Sequence, residues 1–265
     1  DMLAINLNHN RNTIDLLIDI GTNGELVLST EDKIYTCSTA AGPAFEGANI
    51  TFGMAGVPGA ISKFKFDKSG EISYQTIKNK KPRGICGSGL LDIVAQLFQN
   101  DLIDKNGTFI DKENMNKNFE KYLTTYNDLK AFKIVDKSET ENGNDIVITQ
   151  KDIREVQLAK GAIQAGINIL KKEIDIDYND INHIYIAGGF GNYIDPHHAC
   201  IINLIPEELE DKIVQIGNGA GAGAQLYLLD KKAKKYVSKI KEKVNYIELS
   251  SRQDFQTEFM GSMQF

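Results

Sequence analysis

Short apolar segments near the start of the chain are separated by polar turns. Residues 14–20 form an apolar, β-branched run that stops at a glycine-containing turn at 21–24. Residues 25–29 and 34–38 are similar runs on either side of a charged turn at 30–33. Runs of this length, reversed by Asn-Gly and by charged turn residues, are typical of β-hairpins. The pattern therefore predicts three antiparallel strands at the start of the domain.

Helical and strand-like patterns alternate in the second half of the chain. Thr149 and Asp152 predict a capped start for a long helix. Apolar residues then recur near the helical period at Ile153, Val156, Ile163, Ile167 and Leu170. Residues 183–187 and 212–216 have the composition of buried strands that run into glycine, and residues 220–229 that of a helix. Three antiparallel strands followed by alternating helices and parallel strands is the order of a ribonuclease H-like α/β fold.

The middle of the chain is harder to interpret. Two β-like segments, 61–66 and 71–77, precede an apolar helix over 90–98, for which Ser88 is a candidate cap. Residues 100–144 are rich in Lys, Asn, Asp and Glu and show weaker periodicity. We interpret them as a surface-exposed, inserted subdomain outside the main core.

Length and composition fit one folded α/β unit with a large inserted segment. Of the 265 residues, 42% are hydrophobic and 25% are charged, as in soluble globular domains. The net charge of -6 argues against nucleic-acid or anionic-membrane binding over a broad surface. Three widely separated cysteines predict reduced thiols rather than zinc or iron–sulfur ligands. No apolar stretch approaches the roughly 20 residues of a membrane span and no signal peptide is apparent, so we expect a cytoplasmic protein.

The first candidate site is the turn after the first predicted strand. Gly21 and Gly24 leave backbone N–H groups uncrowded, and such groups bind phosphate oxygens well. Thr22 and Asn23 add hydrogen-bond donors. Asp19 would repel phosphate directly, so its expected role is to hold Mg²⁺ through water beside ATP. The alternative is an ordinary Asn-Gly hairpin turn.

The second candidate site follows a predicted strand, at the carboxyl edge where open α/β sheets place their ligands. Gly188, Gly189 and Gly191 allow the flat approach of an adenine ring. Phe190 would supply an apolar wall, and Asn192 completes the motif. The alternative is a tight strand-to-helix turn with Phe190 in the core.

Three other features have competing interpretations. Residues 217–224 resemble a dinucleotide fingerprint, but no strand-ending acid follows about 20 residues later, so we interpret the small side chains as allowing close helix packing against the nucleotide cleft. His197 and His198, beside Asp195, would not point the same way, which favours a loop-to-helix boundary over a metal site.

Glu46 is a catalytic candidate that would orient a water near a γ-phosphate. The alternative is that Glu46 is a surface carboxylate at a helix end.

Several motifs occur in the order found in one known family. They lie at residues 19–25, 38–47, 84–89, 187–191 and 217–221. Over nearly its whole length the chain resembles the C-terminal half of the reductive activators of corrinoid proteins, which belong to the superfamily of actin, heat-shock chaperones and sugar kinases. The resemblance implies one actin-like ATPase half-domain over residues 1–265, with residues 100–144 inserted.

The resemblance also implies a function. ATP hydrolysis would help return Co(II) corrinoid to Co(I) on a partner corrinoid protein of methyl transfer. ATP or ADP would lie between residues 19–24, which match a phosphate loop, and residues 188–191, which match an adenosine motif. Family members carry an N-terminal [2Fe–2S] domain and a first nucleotide half, neither of which is visible in this sequence. We therefore expect a fragment that is weakly active or inactive alone, with Asp19 and Glu46 as catalytic candidates, and a homodimer.

Two alternatives stay open. A small-molecule kinase of the same superfamily would transfer phosphate to a sugar, acetate or glycerol, although the sequence shows no clear acceptor pocket. A docking and dimerisation module with an incomplete nucleotide site would bind the corrinoid protein without turning over nucleotide.

Overall fold

The structure is a computed structural model that describes residues 1–5, 13–191 and 193–265. Its strands are β1 (Asp15–Ile20), β2 (Gly24–Ser29), β3 (Ile34–Thr39), β4 (Ala60–Phe66), β5 (Ile72–Thr76), β6 (Gly84–Ile85), β7 (Leu123–Tyr126), β8 (Leu129–Val135), β9 (Ile146–Thr149), β10 (His183–Ala187), β11 (Ile213–Gly217) and β12 (Val244–Tyr246). Its α-helices are α1 (Gly87–Gln99), α2 (Gln150–Glu173), α3 (Pro196–Ile201), α4 (Gly219–Leu229), α5 (Lys231–Lys243) and α6 (Phe255–Gly261).

A six-stranded mixed sheet forms the centre of the molecule, in the order β11-β10-β1-β2-β3-β12. The first three strands pair antiparallel, as the alternating apolar runs and turns predict. β10 joins the free edge of β1 in parallel, and β11 pairs in parallel with β10. Three antiparallel strands followed by alternating helices and parallel strands are thus confirmed. The parallel pairing matters for function because it places the carboxyl ends of β1, β10 and β11 at one edge.

Helix α2 covers one face of this sheet. Thr149 caps it with the predicted capping box, in which Asp152 reaches back to the backbone of Thr149. The apolar residues predicted for its inner face are all buried: Ile153, Val156, Ile163, Ile167 and Leu170. They join the main hydrophobic core together with the inner residues of β1 and β2. One face of the sheet is therefore stabilised by the burial of a continuous apolar stripe.

Residues 100–144 are only partly at the surface. β7 and β8, which lie in this segment, pair in an antiparallel sheet with β9. Leu102, Phe109 and Phe132 are buried in the main core. The prediction that the segment lies outside the core is wrong at these positions, because the polar composition conceals a few deeply buried apolar residues. Its status as an insertion stays a prediction.

Helix α1 begins two residues earlier than the predicted cap at Ser88 would place it. Cys86 is the residue before the first turn, and no side chain caps this end. Ser88 lies within the helix and donates to the carbonyl oxygen of Ser62 at 3.0 Å. The prediction of Ser88 as a cap is wrong because the glycine before it is already helical.

A second, smaller hydrophobic cluster lies on the other face of the central sheet. Leu17, Tyr185 and Ala187 form this cluster, against Met2 and Ile5.

In the part of the chain that the structure describes, no helix combines the length and the apolar character that crossing a membrane requires.

Candidate functional site

The two glycine motifs predicted from the sequence meet at the carboxyl edge of the sheet. Asp19 at the end of β1 lies opposite Ala187 at the end of β10. Gly188 follows with a φ of +100°, and a Cβ there would lie 2.4 Å from the carbonyl oxygen of Ile20 and 2.8 Å from Asp19 Oδ1. Only glycine tolerates both the backbone conformation and this approach. The structure therefore brings the candidate phosphate turn and the candidate adenosine turn into direct contact.

The candidate phosphate turn is tightly held by its own backbone. Gly21 N–H donates to the carbonyl oxygen of Asn23 at 3.0 Å, and Gly42 N–H donates to the carbonyl oxygen of Thr22 at 2.8 Å. Thr22 and Asn23 are exposed at the tip, whereas Gly24 is buried as the first residue of β2. The exposed tip offers the Asn23 side chain as a hydrogen-bond donor to an anion, while the amide of Gly21 and the hydroxyl of Thr22 already donate within the protein.

Glu46 lies beside this turn. It ends a 3₁₀ turn at Ala44–Glu46, and its Oε2 accepts a hydrogen bond from Thr22 Oγ1 at 2.9 Å. Both side chains are exposed. The two residues are 24 positions apart in the sequence, so their contact depends on the fold. Glu46 is thus within reach of whatever occupies the turn, as a catalytic carboxylate requires.

The carboxylates at the end of β1 are close to each other. Asp19 is half-buried and pairs directly with Glu25 across β1 and β2, so both side chains lie on one face. Burial raises the pKa of Asp19, and burial followed by the charge of Asp19 raises the pKa of Glu25. A bound cation would offset this repulsion and desolvation, so Asp19 fits the role of holding Mg²⁺. Among the described residues no group of three or more His, Cys, Asp or Glu side chains is placed to hold a metal.

The candidate adenosine turn has one open position. A Cβ at Gly189 would meet no atom within 4 Å, so the space beside this exposed residue is free for a ring. Gly191, in contrast, packs closely, since a Cβ there would lie 2.6 Å from the carbonyl oxygen of Ala187. Asn192 lies outside the residues that the structure describes. Room for a flat ligand therefore exists at Gly189.

Phe190 lies against protein rather than in open space. Its ring stacks on Phe45 with a centroid distance of 5.0 Å and an interplanar angle of 10°. Gly87 at the start of α1 faces the same pair, because a Cβ there would lie 2.0 Å from the carbonyl oxygen of Phe45 and 2.8 Å from Phe190 Cδ2. The sequence motifs contain all three residues, but no local pattern indicates that they touch.

The remaining candidates lie apart from the phosphate turn. Asp195 caps α3 by accepting from His197 N–H at 3.0 Å, which confirms the loop-to-helix boundary. His198 Nδ1 lies 2.7 Å from Asp92 Oδ1, and His197 Nδ1 lies 3.1 Å from Glu210 Oε1. Each histidine thus has its own carboxylate partner.

The small residues after β11 begin a helix. Asn218 caps α4 by accepting from Gly221 N–H at 2.8 Å. Gly219 and Gly223 are buried against the segment at residues 1–4. The small side chains therefore allow close packing of α4, as predicted, but the buried glycines pack against the segment at residues 1–4 rather than against the nucleotide cleft.

Comparison with known proteins identifies the fold and the family. The model of a family described as the C-terminal domain of RACo, the ASKHA domain, matches residues 13–265. The match contains both glycine motifs of the site. The chain belongs to this family. Its ASKHA domain has the actin-like ATPase fold, which confirms the predicted fold class and implies nucleotide binding.

Relatives of the ASKHA domain agree with this family. The chain is 44% identical over 252 residues to a corrinoid activation enzyme, RamQ, of Eubacterium limosum. It is 28% identical over 273 residues to a [Co(II) methylated amine-specific corrinoid protein] reductase of Methanosarcina barkeri. These alignments cover 94% of the chain but only 42% and 46% of the relatives. The chain thus spans less than half the length of these curated relatives.

A solved structure shows the same architecture. The structure of a reductive activator for a corrinoid, iron-sulfur protein superposes on the chain with a TM-score of 0.91 and 37% sequence identity. The superposition covers 100% of the chain and 41% of that protein. Fold and sequence thus point to the same group of proteins.

Proposed function

We propose that this ASKHA domain forms one wall of the ATP site of a protein that couples ATP hydrolysis to the reductive activation of Co(II) corrinoid proteins. The observation that carries the nucleotide site is the contact of Gly188 with Asp19 and Ile20, which joins the two glycine turns. The corrinoid reaction is supported by the names of the relatives, a corrinoid activation enzyme and a Co(II) corrinoid protein reductase.

The residues of the site take separate roles in this proposal. The turn at 21–24 binds phosphate oxygens through the exposed side chain of Asn23, with the hydroxyl proton of Thr22 donated to Glu46, and the turn at 188–191 receives the adenosine. Asp19 holds Mg²⁺ through water. Bound Mg-ATP supplies the phosphoryl group whose transfer to water releases free energy. Glu46, which already accepts a hydrogen bond from Thr22, accepts a hydrogen bond from that water and orients it.

Several finer assignments belong to the same proposal. The partner is a corrinoid protein, and the electrons come from a [2Fe–2S] domain that lies outside residues 1–265. A cytoplasmic location fits three free cysteines that are all buried. The chain is proposed to self-associate as a homodimer.

Calorimetric titration with Mg-ATP and Mg-ADP tests the nucleotide site directly. The wild-type chain is expected to bind both with saturation. Gly189→Val should weaken binding at least about tenfold, because its side chain occupies the open space that the ring needs. Gly261→Val is the matched control, because a Cβ at Gly261 at the end of α6 also meets no atom within 4 Å. Equal affinities in all three proteins, or no binding by the wild-type chain, would contradict the proposed site.

A second candidate function is a docking and dimerisation module. The observation in its favour is a run of exposed apolar side chains at the end of α4, where Leu228 is 75% and Leu229 86% exposed. Tight binding of a corrinoid protein by a chain that binds no nucleotide would support this second function over the first.

A further inference from the structure

The stacked pair Phe45 and Phe190 joins the two halves of the candidate site. Phe190 belongs to the candidate adenosine turn, whereas Phe45 precedes the candidate catalytic residue Glu46 in the sequence. Their rings are nearly parallel at 5.0 Å. Such a pair contributes packing energy beyond the burial of its area, and it fixes the orientation of both rings. The backbone that carries Glu46 is thereby tied to the turn at 188–191.

Surrounding contacts leave this pair little freedom. Phe45 is 3% exposed, and Phe190 packs against the main core. Gly87 lets the start of α1 come so close that any side chain there would overlap Phe45 and Phe190. Three distant parts of the chain therefore meet at one point. Because tightly packed side chains transmit displacement, a change in the ring of Phe190 would move the ring of Phe45.

The turn that carries Glu46 is held by its own hydrogen bonds and by the close packing of its neighbours. Its internal hydrogen bonds run from Glu46 N–H and Ala48 N–H to the carbonyl oxygen of Pro43, and from Gly47 N–H to that of Ala44. Glu46 itself is exposed, with Thr22 Oγ1 as a hydrogen-bond partner. The buried ring of Phe45 is thus one anchor of this turn, together with buried Ala44 and with Gly47, which packs closely against the backbone of Met54.

We propose that Phe190 acts through Phe45 to position Glu46 beside the phosphate turn, and that it does not serve as the apolar wall for adenine. Phe190 is then a positioning residue of the hydrolytic step rather than a nucleotide-binding residue. The observation behind this assignment is that one face of its ring is already covered by Phe45. The inference rests on the proposed function, since it presupposes that Glu46 acts on bound nucleotide.

Steady-state hydrolysis of Mg-ATP by the 265-residue chain, with Kd measured by calorimetry, separates the two roles. Phe45→Leu and Phe190→Leu should each lower kcat by roughly tenfold, and the double variant should be no worse than either single one, because both remove the same interaction. The Kd for Mg-ADP should stay within about twofold of the wild-type value. In a Glu46→Gln background, Phe190→Leu should have no further effect on kcat.

Phe259→Leu provides the control. Phe259 stacks on Phe255 in α6 with a centroid distance of 6.3 Å and an interplanar angle of 17°, and it is half-buried like Phe190. This variant loses a comparable stacked ring but should leave kcat and Kd unchanged. A similar loss of kcat in Phe259→Leu would mean that any lost ring impairs the enzyme, and it would overturn the inference.

Amide hydrogen exchange without nucleotide tests the same link independently of activity. The amides of residues 46–48 should exchange at least about tenfold faster in Phe45→Leu and Phe190→Leu, because one anchor of their turn is loosened. Amides in the middle of α2 should be unchanged, which distinguishes local loosening from general destabilisation. Unchanged exchange at residues 46–48 in Phe190→Leu would overturn the inference even if the chain hydrolyses no ATP.

The outcomes distinguish this inference from the proposed function. A Kd that rises tenfold in Phe190→Leu but not in Phe45→Leu would assign Phe190 to the adenine wall and overturn the inference while keeping the nucleotide site. Absence of nucleotide binding by the wild-type chain would contradict the proposed function, and the exchange experiment would then decide the link between Phe190 and Glu46 by itself.

Discussion

Gly188 shows how much of the site geometry depends on one residue. Its φ of +100° is a conformation that L side chains rarely adopt, and a Cβ would overlap the carbonyl oxygen of Ile20. Neighbouring Gly189 has neither restriction. Two adjacent glycines therefore serve different needs: one allows the two turns to touch, and the other leaves space beside them.

This difference gives a stability prediction. Gly188→Ala should lower the free energy of unfolding by about 2–4 kcal/mol, because it adds both backbone strain and a steric overlap. Gly189→Ala should change the free energy of unfolding by less than about 0.5 kcal/mol. Urea denaturation of both variants measures the difference, and equal stability of the two would contradict the geometry at Gly188.

Lys160 in α2 is a fully buried cation. Its Nζ donates to the carbonyl oxygen of Gln264 and lies 5.5 Å from the centre of the Phe265 ring. No carboxylate among the described residues forms an ion pair with it. Burial lowers the pKa of Lys160 to about 7. Since a lysine in the unfolded chain has a pKa of about 10.4, the folded protein binds fewer protons between these two values.

The stability of the chain should therefore rise with pH above neutrality. Below about pH 7 the lysine is charged in both states and its burial penalty is complete; the penalty is relieved as pH rises toward about 10. We expect Lys160 to contribute a gain of about 2 kcal/mol between pH 7 and pH 9. Urea denaturation of the wild type and of Lys160→Met at both pH values isolates this contribution. A wild-type gain that Lys160→Met retains in full would contradict it.

At the scale of elements, the start of α2 combines a local cap with a long-range contact. Asp152 Oδ2 accepts from the N–H and the Oγ1 of Thr149, each at 2.8 Å. Its Oδ1 accepts from the N–H and the Oγ1 of Thr51, at 2.8 and 2.9 Å. The sequence predicts the first pair of bonds but not the second. Asp152 thus both starts the helix and attaches it to the loop before β4.

Replacing the two cap residues should have unequal effects. Thr149→Ala should cost about 1 kcal/mol of stability, as for other helix caps. Asp152→Ala should cost about 3 kcal/mol, because several buried or half-buried donors lose their acceptor. Asp180→Ala is the control, since it breaks the capping box of an exposed 3₁₀ turn at Tyr178–Asp180 and should cost less than about 1 kcal/mol. Thermal or urea denaturation ranks the three, and equal losses would contradict the role of Thr51.

At the scale of the whole molecule, the end of α4 leaves an apolar surface exposed. Leu226 and Tyr227 are 42% and 43% exposed, and the following two leucines are more exposed still. Isolated apolar residues at a surface need no explanation, but a run of four in one helix is typical of an interface. We propose this surface as the contact of the homodimer.

The oligomeric state can be measured by light scattering during gel filtration. We expect a mass of twice 29.4 kDa for the wild type at micromolar concentration. Leu228→Ser/Leu229→Ser should shift it to the monomer, because an interface centred on these side chains loses its apolar core. Val57→Ser/Leu129→Ser removes two other exposed apolar side chains and should leave the dimer intact. A wild-type monomer would contradict the proposed self-association, and a dimer in both variants would place the interface elsewhere.

Sequence patterns alone determine the elements that position the site. β1, β2, β3, β10 and α2 follow from runs of apolar residues, glycine turns and a capping box, all of which are local features. Local propensity and periodicity depend on residues that are neighbours along the chain. These strands and this helix can therefore be predicted from the sequence without a structure. The placement of the candidate glycine turns at strand ends follows from the same signals.

Only the tertiary structure decides which of these residues touch. The contacts of Gly188 with Ile20, of Phe190 with Phe45 and of Thr22 with Glu46 join residues that are distant in sequence. They depend on the parallel register of β1 with β10 and on the packing of α1. The burial of apolar residues within 100–144 has the same origin. Such contacts are set by how completed elements pack together, which no local pattern encodes.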